Sequence, residues 1–73
     1  MRFPKREIVE ALRKKYPAGS RIELLKMDDP QAPPVGTRGK VIFIDDAGQI
    51  HVKWDNGSSL ALIPEVDKFK IVS

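Results

Sequence analysis

QIHVKWDNGSSLALIP, residues 49–64, alternates apolar and polar side chains until an Asn-Gly pair interrupts it. Ile50, Val52 and Trp54 share one parity and His51, Lys53 and Asp55 the other, which is the pattern of a half-buried β-strand. Asn56-Gly57 is a strong hairpin signal, expected to need positive φ at both central positions. SSLALI (58–63) then returns as the neighbouring strand. The stretch holds the chain's single His and single Trp, so it reads either as a binding site or as the central hairpin of a small β domain. Trp54 has the parity of Ile50 and Val52, and that favours the core over a stacking surface.

Working outward, TRGKVIFI (37–44) is β-branched and apolar on both parities, as in a strand covered on both faces. Placing Val41 and Phe43 inward with Ile50, Val52 and Trp54 sends Ile42 and Ile44 outward. DDAG (45–48) is a hairpin connection. SRIELLKM (20–27) reads as a first strand, and DDPQAPPVG (28–36), with three prolines, as a stiffened loop. PEVDK (64–68) has room for one helical turn before FKIVS (69–73), a last short strand.

Upstream of Gly19 the period is helical. Ile8, Leu12 and Tyr16 recur at i, i+4 and i+8 with Val9 and Ala11 beside them. Pro4 suits a first turn, Glu10 can pair with Lys14, and YPAGS (16–20) ends the run. The predicted architecture is a single domain, 1–73, mainly β. An amphipathic N-terminal helix (4–16) precedes a five-stranded SH3-like barrel (17–73). The helix stripe can cover Ile42 and Ile44, plug an open end of the barrel, or meet a second copy.

With 73 residues the core is small, and the absence of cysteine removes both disulfides and a thiolate zinc site. No cofactor is expected. No run approaches the roughly 18 apolar residues of a membrane span, and the N-terminus lacks the apolar centre of a signal peptide. A cytoplasmic protein with no membrane partner is expected. Residues 1–16 carry six bases (Arg2, Lys5, Arg6, Arg13, Lys14, Lys15) against two acids, while 17–73 carry seven bases and eight acids.

Catalysis finds little footing. His51 and Asp55 lie about 13 Å apart along one strand, too far to share a proton. Ser58 and Ser59 come without an oxyanion cradle. Asp28-Asp29 and Asp45-Asp46 stand where turns favour Asx side chains and lack calcium-loop spacing. The proline-rich loop has no aromatic residue, which argues against polyproline recognition. What remains is basic surface.

His51, Lys53, Arg38 and Lys40 share the outward parity, and Lys5, Arg6, Arg13 and Lys14 add a helical cluster. Together they suit phosphate contacts. No aromatic is free, on this reading, to stack on bases. The expected function is a non-enzymatic binding module associating with nucleic acid through these residues. The alternative is a protein-interaction or assembly module using Ile8, Leu12 and Tyr16, as monomer or homodimer.

YPAGSRIELLKMDDP, PPVGTRGKV, DDAGQIHVKWDNGSSLALIP and VDKF, spread over residues 16–73, resemble DUF4314, a bacterial domain family of unknown function. The resemblance implies a small β-barrel and a bacterial source, and it brings no activity. The basic N-terminal helix lies outside its best-matching part.

Overall fold

A computed structural model describes residues 5–72 of the chain. Helix α1 (Arg6–Lys15) precedes strands β1 (Arg21–Lys26), β2 (Arg38–Ile44), β3 (Ile50–Trp54) and β4 (Lys68–Ile71). The strands form one antiparallel sheet in the order β3-β2-β1-β4. Pro4, assigned to the helix from sequence, lies outside the described residues, as does Ser73.

The expected five-stranded barrel is corrected here: four strands are present among the described residues, and the sheet does not close. SSLALI follows β3 back but pairs with it only at the isolated bridge Ile50↔Leu62. The cause is Trp54. Its indole N–H donates to the Leu60 carbonyl at 2.8 Å, the acceptor that a continuous ladder would offer to the Val52 N–H. The returning segment is thus fastened to β3 by the indole bond, the Trp54 N–H to Ser58 carbonyl bond of the turn, and one bridge.

Both hairpin turns are three-residue loops. Asp45 N–H donates to the Gln49 carbonyl and Gly48 N–H to the Asp45 carbonyl; Trp54 N–H and Gly57 N–H repeat this with Ser58 and Trp54. Only the glycines, Gly48 (φ 80°) and Gly57 (φ 91°), take positive φ. The turn at Asn56-Gly57 is therefore not the two-residue form expected from sequence. It is a type I turn closed by a left-handed glycine.

The core gathers Ile22, Leu24, Val41, Ile44, Ile50, Val52, Trp54 and Leu62 with Val9 of α1. Each aliphatic side chain buried in this way contributes roughly 1.5–3 kcal/mol of transfer free energy. Trp54 reaches full burial because its Cα partner on β2 is Gly39. A Cβ at Gly39 would lie 2.6 Å from Val52 Cγ1 and 2.9 Å from Trp54 Cε3.

Parity along β2 differs from the alternating expectation. A β-bulge between Val41 and Phe43 inserts Ile42, so Ile42 and Phe43 are exposed while Ile44 turns into the core. Phe43, expected inside, is outside, and Ile44, expected outside, is inside.

The helix docks through Val9, Leu12 and Tyr16 rather than through Ile8, which is 50% exposed. Tyr16 meets Phe69 of β4 with ring centroids 5.1 Å apart. Arg13 donates from Nε and Nη2 to the Ile44 carbonyl, and Nη2 also reaches Asp46. Glu10 pairs with Arg6 and not with the expected Lys14.

Because Gly39 and Trp54 leave no room for a methyl group, Gly39→Ala should destabilise the fold by about 1–3 kcal/mol. Urea unfolding followed by Trp54 fluorescence measures this; an unchanged midpoint would contradict the packing described.

Candidate functional site

The sheet has a second face, opposite the core, and strand register decides what meets there. Arg21 is the Cα partner of Lys40, and Lys40 is the partner of Lys53. Three cations therefore stand in one row across β1, β2 and β3. Arg21 extends across β2 to Asp55, donating from Nη1 (3.0 Å) and Nη2 (2.6 Å) to the two carboxylate oxygens. This fork-to-fork contact raises the Arg21 pKa and holds the Asp55 carboxyl below the usual carboxylate range; for both groups the shared hydrogen bonds are the largest cause.

Lys40 and Lys53 are exposed and have no carboxylate within ion-pair distance among the described residues. Like charges directly opposite one another on adjacent strands are unfavourable. The pair lines an open cleft of about 430 Å³ with Arg21, Trp54, Asp55 and Gly57. Arg38, one step along β2, is neutralised by Glu23 at 3.2 Å, and Glu23 also has Lys70 at 3.8 Å.

In the other direction along the sheet, Phe43 is the Cα partner of His51. Their rings stack with centroids 4.3 Å apart and planes within 5°. His51 Nε2 lies 2.9 Å from Asp45 Oδ2. Asp45 Oδ1 accepts the backbone N–H groups of Ala47 and Gln49. Burial alone would raise the Asp45 carboxyl, but the contacts from His51, Gln49 and Ala47 outweigh it and hold the group below its usual value. A turn residue thereby fixes the ring of a strand residue.

The helical cluster sits elsewhere. Since α1 packs on the core side, its cations and the Lys40–Lys53 pair occupy opposite sides of the sheet and form no single surface. Arg6 is bound to Glu10, Arg13 is bound to Ile44 and Asp46, and Lys15 Nζ lies 5.5 Å from the Tyr16 ring centroid. Lys5 and Lys14 are exposed and unpaired among the described residues; Arg2 lies outside them. Of the stripe Ile8, Leu12 and Tyr16, the last two are packed within the chain, leaving Ile8 outward.

Sequence reasoning missed Phe43 as a surface aromatic, and with it the stack on His51. No sequence signal marks it, because an apolar run on both parities reads the same with or without a bulge; the register of the structure shows it. Between the Gly39↔Trp54 and Ile44↔Ile50 pairs, β2 has one residue more than β3, so a bulge is required. Among the described residues, no three His, Asp or Glu side chains gather as a metal site would require, and no helix is long and apolar enough to cross a membrane.

These elements define a small, mainly β domain in which one helix backs an open four-stranded antiparallel sheet whose other face is partly cationic. The family model described as "Domain of unknown function (DUF4314)" matches residues 5–72, and the chain belongs to that family. Comparison with curated proteins and with solved structures gives no match.

Asp45 and Asp55 both hold protons less tightly in the folded than in the unfolded chain. Their contribution is complete above the ordinary carboxylate pKa and lost as pH falls through the folded values. Asp45→Asn/Asp55→Asn should therefore be less stable at pH 7 and show a shallower loss of stability between about pH 4 and pH 2. Urea midpoints measured across that range provide the check, and an acid limb as steep as wild type would rule out these two groups as its source.

Proposed function

We propose that the protein is a non-enzymatic module that holds nucleic acid against the outer sheet face, with Lys40 and Lys53 contacting phosphate. One observation carries the reading: two exposed lysines face each other across β2 and β3, unneutralised, in an open cleft with Arg21. A sheet that accepts this repulsion gains favourable contacts when a polyanion lies between the two side chains. Arg38 and His51, two more outward side chains, flank the pair on either side. The reading includes a cytoplasmic setting, where nucleic acid is within reach.

The helix plays a structural part here, because Arg6 and Arg13 are already engaged and α1 lies behind the sheet. This separates the proposal from one that uses all the basic residues together. It also leaves the assembly reading with Ile8 as the one large apolar side chain exposed on the helix.

Fluorescence anisotropy with a labelled DNA duplex and a labelled oligothymidylate tests the proposal. Affinity should fall steeply between about 50 and 200 mM salt. Lys40→Ala and Lys53→Ala should each reduce the slope of log affinity against log salt by about 1. Lys14→Glu, on the helix side, should leave binding unchanged. Salt-independent binding, or a Lys14 variant as damaging as the Lys53 variant, would remove the outer face as the site.

A further inference from the structure

Resting on the nucleic-acid reading above, we infer that the outer face takes single strands, with Phe43 and His51 as a stacking platform for an unpaired base beside the Lys40–Lys53 phosphate clamp. Phe43 is 52% exposed although it belongs to a central strand pair, and the bulge at Ile42 is what turns it outward. Bulges commonly re-aim a side chain next to a functional site. One side of the ring is covered by His51 in a nearly parallel stack, so the surface it keeps open lies on the side His51 does not cover.

The platform is in place before any ligand arrives. His51 is held by Asp45, and Asp45 by the backbone of its own turn. A base landing on Phe43 therefore orders little protein, which favours binding. Fixing His51 through a carboxylate also places one negative charge on the side of the ring away from Lys40 and Lys53.

The spacing joins the two parts. His51 and Lys53 are two residues apart on β3 and project from the same face, about 6.6 Å from each other along the strand. Phe43 and Lys40 stand opposite them on β2. A base and its flanking phosphate span that step in an extended strand. In a duplex, bases are stacked on their neighbours and present no free face, so the aromatic pair is useful only to an unpaired nucleotide. Stacking is sequence-tolerant, because every base has a π-face.

The experiment compares short labelled oligodeoxythymidylate and oligouridylate with a duplex of equal length at fixed salt. Wild type should bind at least one of the single strands more tightly than the duplex. Phe43→Ala should weaken single-strand binding about tenfold or more and leave duplex binding as it was, while Phe43→Trp restores it. Lys40→Ala/Lys53→Ala should weaken both ligands. In the wild-type chain, which needs no variant to fold, saturating oligothymidylate should shift the Phe43 and His51 ring proton resonances. Equal affinity for duplex and single strand, or ring resonances that stay in place while those of Lys40 and Lys53 move, would overturn the single-strand inference and leave the phosphate-binding reading intact. Failure of all three ligands to bind would overturn both.

Discussion

Trp54 seated over Gly39, with its indole N–H closed onto the Leu60 carbonyl, sets the register on which the other features of the sheet depend. It fixes one end of the β2–β3 pair. The Asp45 turn fixes the other end at Ile44↔Ile50. Between these two pins β2 has a residue too many, and the surplus must leave the ladder as a bulge. The bulge in turn decides which aromatic ring faces solvent. A packing contact in the core thus determines the chemistry of the opposite face, through nothing more than residue count.

The same contact lies where the ladder on the far side of β3 is interrupted. A side-chain donor that takes the Leu60 carbonyl competes with the backbone donor that would have extended the ladder. Residues 58–63 are held close to β3 without becoming a strand. The buried edge is covered by a segment bonded at Ile50, Trp54 and their partners, and the apolar Leu62 still reaches the core.

Much of this was legible in the residues. The alternation of residues 50–54, the two glycine-closed turns, the proline loop and the helix announce themselves through period and turn chemistry. Parity within VIFI was not legible, because an apolar run on both faces looks the same whether or not one residue is bulged. The indole bond was equally hidden, since no sequence pattern says which donor a carbonyl will choose. The candidate site was half visible for related reasons. Lys40 and Lys53 follow from alternation, whereas Phe43 depends on the bulge. Counting charges misled at the helix: Arg13 is spent on the Ile44 carbonyl and Asp46, contacts spanning 31 and 33 residues. A basic residue that closes a structural gap contributes to net charge and little to any binding surface.

The open sheet ends at β4, whose outer side has no neighbouring strand among the described residues. Such a margin invites a like margin from another molecule and is the usual starting point of aggregation. Here the strand reads Lys-Phe-Lys-Ile over only four residues, with both lysines exposed and Phe69 drawn toward Tyr16. Antiparallel approach of two such margins sets the lysines of one chain close to those of the other. An unclosed sheet thus keeps a free edge, and on that edge the strand is short and carries lysine at every second position.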